Sequence, residues 1–587
     1  MIRRLSRKQK CLAALLFTAV LLLVSVVLYR LVPPEPVRFE RYTRQLLEDS
    51  LLQDTLSLHY TLADPLDWGL NPSYATLGSF PDGDAVAQAA MLENQYAFLD
   101  SFHPGLLSEE QTLTLNILKT QTENELALVK GYFLQNFISP SLGIQAQLPT
   151  LLAEYAFRSK GDIDTYFALL EDLDRYFTDL MDFVDIQAAR GLGPGDDAID
   201  RICEQCEEFI GQGDASHFLQ TSFVEKCNAC EFLTDDEKQS LIKAHARQLT
   251  DCVFPAYRRL TERLTALKGS CEVQGGLASC PNGADYYEAL VHKETGSSLS
   301  ISQIQERLYR QLLADIQKAQ SMPQDAALGA DPYEKLDAAK MLQLLQNSIL
   351  DDFPALADVD WELKQIQDEL ADYASPAFYL TPPIDAQETN TIYINPAEQM
   401  SGIELFSTLA HEGFPGHLYQ TNYFSSTNPS PLREVLSWGG YIEGWATYVE
   451  SWFCTEAEGI WSGASLYWLE RSMNLCLTSL LDIGIHGYGW TLADTASFLN
   501  GFGISDQATV QNLYQYILEN PANYLKYYLG YLSFLDLRTA CEEALGDAFD
   551  LQAFHEAVLT TGPCPFAILE EEVFGRLGIR QPLSDAS

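Results

Sequence analysis

His411-Glu412-Gly413-Phe414-Pro415-Gly416-His417 places two imidazoles and a carboxylate within seven residues, and Glu443 opens a second compact run, Glu443-Gly444-Trp445-Ala446-Thr447-Tyr448-Val449-Glu450. Two His and one Glu are the ligand set of many zinc hydrolases, which keep a fourth position open for water. Glu412, beside the first His, is of the type such a site uses as general base. The spacing differs from that of the ordinary zinc helix. Residues i and i+4 lie about 40° apart around a helix, whereas His411 and His417 are i and i+6, about 120° apart and ~9 Å along the axis. A straight helix cannot bring them to one ion. Pro415 cannot donate to the carbonyl of residue 411, and Gly416 relaxes the backbone. The sequence therefore predicts that the helix carrying His411 bulges or ends before His417. A helix running straight through 417 would break the ligand assignment.

Glu443 and Glu450, seven residues apart, share one helical face. That suits a metal ligand and a carboxylate partner for a ligand His N–H. Their neighbours Trp445, Tyr448, Val449 and Trp452 belong to a buried helix, and Gly439-Gly440 reads as a loosened start. Asp482 and His486 are i and i+4: an Asp that orients a His as a transition-state donor, or a satisfied buried pair. Tyr527, in Tyr524-Leu525-Lys526-Tyr527-Tyr528-Leu529-Gly530, is the candidate phenol beside a developing oxyanion. His555-Glu556 reads as a chance pair.

Around this constellation the pattern is mainly helical, with apolar residues at three- and four-residue intervals over 111–133, 163–190, 301–373 and 438–570. Breaks fall near Gly501, Asn520-Pro521 and Gly562-Pro563. Ala377–Leu380 and Thr391–Ile394 are the strand candidates, and Asn395-Pro396 offers a helix start. The reading is an all-α fold with a small β element beside the active site. It has one large domain over 56–587, a basic N-terminus at 1–10, a transmembrane signal-anchor at 11–30 and a juxtamembrane linker at 31–55.

Cys11 to Tyr29 is uncharged, and as a helix its 19 residues span about 28 Å, close to a bilayer core. It is longer than a usual signal core, and no small-x-small site follows. The preceding Arg and Lys residues predict a cytoplasmic N-terminus and a body outside the cytoplasm, held to the cell membrane as a single-pass protein. The formal net charge is −44, and five of the 37 basic residues lie in the first ten. So acidic a body repels nucleic acid, which is excluded as a partner. Cys203-x-x-Cys206 and Cys227-x-x-Cys230 match four-thiolate zinc spacing, yet sit in amphipathic helical pattern. Disulfides, free thiols and a structural zinc site all stay open for them.

The chain resembles the bacterial domain-of-unknown-function family 885, which looks like a gluzincin-type zinc peptidase group related to the thermostable carboxypeptidase Taq enzymes. The marks are Pro281-Asn282-Gly283-Ala284-Asp285-Tyr286-Tyr287, Thr391-Ile392-Tyr393-Ile394-Asn395-Pro396, the heptapeptide, the Glu443–Glu450 run, Gly484-Ile485-His486, Tyr527-Tyr528-Leu529-Gly530 and Phe554-His555 through Pro565. Leu418 stands where the family pattern often has a further His. The resemblance implies a helical peptidase-like fold around a deep cleft and a carboxypeptidase-like preference for peptides. The combined reading is a membrane-anchored zinc metallopeptidase. His411, His417 and Glu443 hold Zn²⁺, Glu412 moves a proton from the attacking water to the leaving amine, and His486 and Tyr527 stabilise the oxyanion. The Thr391–Ile394 strand is the candidate for pairing with a peptide substrate. The competing reading is an outward-facing binding or scaffold protein that keeps the fold without turnover.

Overall fold

The computed structural model describes residues 33–580, except 214–216, 274, 323–330, 358, 367–374, 387–388 and 457–462. The basic N-terminus and the expected membrane span at 11–30 lie outside the described residues, among which no helix is long and apolar enough to cross a membrane. The segment expected as a juxtamembrane linker is part of the body. Helix α1 (Glu35–Gln53) buries Phe39, Thr43, Leu47 and Leu51, one residue every four. That single stripe packs with Leu115, Leu118 and Leu432 in an apolar cluster.

The described chain is mainly helical, with one small sheet. The 29-residue helix α2 (Lys160–Ala188) starts at a Ser159–Asp162 capping box and buries Ile163, Tyr166, Leu169, Leu173, Leu180 and Val184. These residues anchor one of the two large cores. The other contains Leu409, Ala410, Trp445, Tyr448, Leu480 and Leu532. Helix α3 (Gly283–Thr295) borders this second core through Tyr287 and Val291.

The sheet sits between the two. Strands β1 (Trp361–Gln365), β2 (Ala377–Leu380) and β3 (Asn390–Ile394) lie in the order β1-β3-β2, with β1 parallel and β2 antiparallel to β3. Successive side chains of a strand point to opposite faces. Accordingly Ile392 joins the second core and Tyr393 the first. Strands β2 and β3 fall where the sequence predicts them. Strand β1 lies in a stretch expected to be helical. Its apolar-polar alternation covers only Trp361 to Lys364, too short to stand against the helical pattern before it, and Trp361 pairs only with the distant Asn390. Strand β3, expected to pair with a substrate, has both edges occupied; the outer edges of the sheet belong to β1 and β2.

Asn395 does not start a helix. Its side chain accepts from the Ala397 amide in a local turn. Helix α4 (Gly402–Glu412) begins later, at a Ser401–Glu404 capping box. All eleven described cysteines are free. Cys206 and Cys227 are buried in the core of α2, and the four thiols of the two pairs form neither disulfides nor a metal cluster among the described residues.

Candidate metal centre

Helix α4 lays Ile403, Phe406 and Ala410 against the core and ends at Glu412. At Gly413 the backbone leaves helical values (φ −109°, ψ −103°). The Phe414–Pro415 peptide is cis, and helix α5 (His417–Ser426) begins at the second His. The helix thus ends before His417. A Cβ on Gly416 would stand 1.8 Å from the carbonyl oxygen of His411. Gly416 is therefore needed for close approach, because the chain folds back onto the end of α4. Trp445 Nε1 donates to the Pro415 carbonyl at 2.9 Å and fastens this turn to the next helix.

That next helix, α6 (Gly439–Glu456), carries Glu443. The Gly439-Gly440 pair lies within it, and a Cβ on Gly440 would meet the Thr295 carbonyl of α3 at 2.0 Å. These glycines are the first two residues of the helix and also serve its packing. Helix α7 (Gly463–Asp482) follows, and then α8 (Asn523–Leu545) crosses α6 backbone to backbone. A Cβ on Gly444 would lie 2.5 Å from Gly530 Cα. This crossing sets Glu443 beside Lys526 and Tyr527 of α8.

The ligand atoms of His411, His417 and Glu443 all lie within 4.8 Å of one another. Glu443 Oε2 is 3.5 Å from His411 Nε2 and 3.4 Å from His417 Nε2. Two ligands of a tetrahedral zinc, each 2.0–2.1 Å from the ion, are separated by about 3.4 Å. The donor set and its spacing therefore fit zinc. His411 Nδ1 is 2.7 Å from Glu450 Oε1, which fixes the ring so that Nε2 faces the cluster. Arg471 holds Glu450 through Nε and through Nη2, the latter at 2.8 Å, and the Ser407 hydroxyl adds a third donor. Burial alone would lower the pKa of His411, but Glu443 and Glu450 outweigh it and lift it to about 10. Burial would raise Glu450, yet Arg471 and His411 bring it down to about 2.

Glu412 is buried, which raises its pKa. Its Oε2 accepts the Tyr379 amide at 3.0 Å, so the free edge of β2 holds the carboxylate next to the cluster. The ring of Tyr527 lies 6.3 Å from that of His411. Its hydroxyl bonds to Glu443, and burial raises its pKa well above the usual phenol range. Lys526 Nζ is 4.0 Å from Glu443 Oε1.

The bacterial proteins of unknown function grouped as DUF885 match this chain over residues 65–573. The chain belongs to the DUF885 family. Two solved structures share its fold. One, from Colwellia psychrerythraea and described as a candidate lipoprotein, aligns at a TM-score of 0.81 with 19% identity, covering 93% of this chain and 100% of the other. The second, a candidate lipoprotein of unknown function from Shewanella oneidensis, aligns at 0.60 with 17% identity, covering 91% and 98%. No curated protein matches the chain.

In this DUF885 protein His486 stands apart from the cluster. It lies in a π-helical turn (Ile483–Gly487), where Nδ1 accepts from the Leu277 amide and Nε2 donates to the Ile517 carbonyl. Burial lowers its pKa to about 4, and with both nitrogens on backbone groups the neutral ring is a packing element. Asp482 does not pair with it. Asp482 accepts from the Tyr287 hydroxyl and from the Ala522 amide at the start of α8. The i, i+4 spacing suggested a pair, but the π turn rotates the later residue away from the α-helical position. Sequence reasoning missed Arg471, Tyr379 and the Trp445 anchor. Arg471 was the most accessible of these, as a lone cation in the apolar pattern of α7 needs a carboxylate.

Proposed function

We propose that this protein is a zinc-dependent hydrolase of peptide bonds. The observation that carries the reading is the convergence of His411, His417 and Glu443 within 4.8 Å, with Glu443 at zinc-ligand spacing from both imidazoles, beside a buried Glu412 held by β2. His411, His417 and Glu443 would hold a zinc ion, which would supply a water of lowered pKa and polarisation of a carbonyl. Glu412 uses the carboxylate oxygen not bonded to Tyr379 to take the proton of the attacking water and hands it to the leaving amine. Its raised pKa suits both directions of that transfer. The Tyr527 hydroxyl donates to the carbonyl oxygen as negative charge develops on it. Strand β2 offers an edge against which an extended peptide can lie, placing the scissile bond next to Glu412. Glu450, held by Arg471, keeps His411 in the tautomer that presents Nε2.

The body works outside the cytoplasm, attached to the cell membrane. This follows from the N-terminal apolar run and agrees with the description of both solved relatives as candidate lipoproteins. The test is hydrolysis of a mixed peptide library by zinc-loaded protein, with and without chelator, beside Glu412→Gln. The expected result is cleavage that both treatments abolish. Cleavage that survives both sinks the zinc mechanism. No cleavage by zinc-loaded protein points instead to a binding or scaffold protein.

A further inference from the structure

A cavity of about 950 Å³ opens beside the metal centre, with His417, Tyr379, Asn390, Asn422 and Gln420 in its wall. Several of these polar groups are matched within the protein. The Tyr379 hydroxyl donates to Asn390 Oδ1 at 2.6 Å, and Asn422 Nδ2 donates to the same oxygen at 2.9 Å. Asn390 Nδ2 donates to the Asp360 carbonyl at 3.1 Å. Gln420 is different. It stands three residues after His417 on α5, on the same helical face. It is 4% exposed, and its Nε2 is buried with no hydrogen-bond partner among the described residues. Gln145, Gln187 and Gln220 are also buried, and each donates Nε2 to a backbone carbonyl. The exception among these glutamines is the one that reaches the metal cavity. A buried amide left unpaired is destabilising, so the protein keeps this one at the expense of its own stability.

A primary amide carries a donor and an acceptor side by side. A main-chain peptide group matches both, whereas a carboxylate only accepts and an ammonium only donates. The same wall includes Asp360, Asp385 and Glu434 and, among the described residues, no lysine or arginine, which further disfavours an anionic occupant. We propose that Gln420 binds a main-chain peptide group of the substrate, Nε2 donating to its carbonyl and Oε1 accepting its N–H. The peptide runs between β2 and α5, which Asn422 joins through a contact of 3.4 Å to the Tyr379 hydroxyl. This rests on the peptidase reading and deepens it. The substrate class is oligopeptides that carry a further peptide bond on the His417 side of the one cleaved, whether or not their ends are free.

The experiment uses a mixed hexapeptide library and a set of sublibraries in which one backbone amide at a time is replaced by an ester, which lacks the N–H and accepts more weakly. Wild-type, Gln420→Met and Gln420→Leu proteins are compared, all full-length and zinc-loaded. Products are read by mass spectrometry, and zinc content and melting midpoint are measured for each protein. Retention of the same libraries is measured on Glu412→Gln, with and without Gln420→Met. The wild type should cleave about tenfold less when the ester lies at one fixed distance from the cleaved bond, the order of one or two hydrogen bonds. Both Gln420 variants should cleave the all-amide library about tenfold less and ignore that ester. They should keep their zinc and melt no lower than the wild type, because an apolar side chain removes an unpaired amide. Equal handling of every ester position by the wild type overturns the proposal. So does discrimination that survives both substitutions, or a midpoint lowered in both, which would make the amide a structural group. Cleavage without a sensitive ester position leaves the peptidase reading standing and removes this one. If no library is cleaved, retention decides. An ester position that weakens retention by Glu412→Gln, and not by the double variant, keeps the Gln420 contact while the peptidase reading falls; retention blind to the ester, or none, overturns the contact as well.

Discussion

Gly444→Ala tests whether the crossing of α6 and α8 builds the site. The added methyl would meet Gly530 Cα and carbonyl C at 2.5 Å and the Tyr531 amide nitrogen at 2.9 Å. All three are backbone atoms, so no side chain can swing aside. Carbon atoms in good contact are about 3.5–4.0 Å apart, and the helices must separate by roughly 1 Å. Overpacking costs about 1–3 kcal/mol, and the gain in helix propensity on replacing Gly by Ala returns about 1 kcal/mol. The net expectation is a loss of about 0–2 kcal/mol and a melting midpoint lower by up to a few degrees. The larger effect falls on the metal. Zinc sites tolerate ligand displacements of about 0.2 Å, and Glu443 sits one residue from the new methyl. Zinc affinity, measured by competition with a chromophoric chelator, should fall at least ~tenfold. Gly575→Ala is the control: that glycine lies in the helix Phe566–Arg576 with no atom within 4 Å of the added methyl. It should be neutral or stabilise by up to about 1 kcal/mol. If Gly444→Ala matches this control in stability and zinc affinity, the close crossing is not what positions Glu443.

Glu412→Gln should retain zinc, by metal analysis of the purified protein, while hydrolysis falls by ~10²-fold or more, the usual worth of a general base. Glu450→Gln removes the charge that fixes His411, and zinc affinity should drop by about 10–100-fold with the fold intact by circular dichroism. His486 is neutral and fully enclosed, with a pKa of about 4 against 6.5 for the free side chain. Between those values the unfolded chain binds more protons than the folded one. Its contribution is therefore present above pH 6.5 and lost as the pH falls toward 4, up to about 3 kcal/mol. Denaturant unfolding at pH 7 and pH 4.5 should show that loss, and His486→Gln should show less of it. An unchanged difference between the two pH values in the variant would assign the acid sensitivity elsewhere.

The parts of the site legible in the sequence are those set by short-range backbone rules. Pro415 has no N–H to give the helix, and the helix indeed stops at Glu412, before His417. Glu443 and Glu450 fall on one face because α6 is regular there, and Glu450 meets His411 as a shared face allows. The same rules locate β2 and β3. They fail at His486, where one π turn is enough to undo an i, i+4 inference, and at α1, where the amphipathic helix expected after the Pro-rich entry belongs to the body and not to a linker.

What the sequence could not display is contact between elements distant along the chain. Tyr379 meets Glu412 through a backbone amide, which any residue at that position supplies, so no side-chain signature marks it. The glycines at 440, 444 and 530 read as helix weakeners by propensity, each costing about 1 kcal/mol against Ala. Their value appears only once the helices are laid together: a methyl on Gly444 or Gly530 would strike backbone between α6 and α8, and one on Gly440 would strike Thr295 of α3. The same crossing explains why Lys526 and Tyr527, remote from the heptapeptide in sequence, face Glu443. A glycine pair one helical turn apart, opposite a lone glycine on another buried helix, is therefore a sign of backbone contact. Here it marks where the second half of the site is attached to the first.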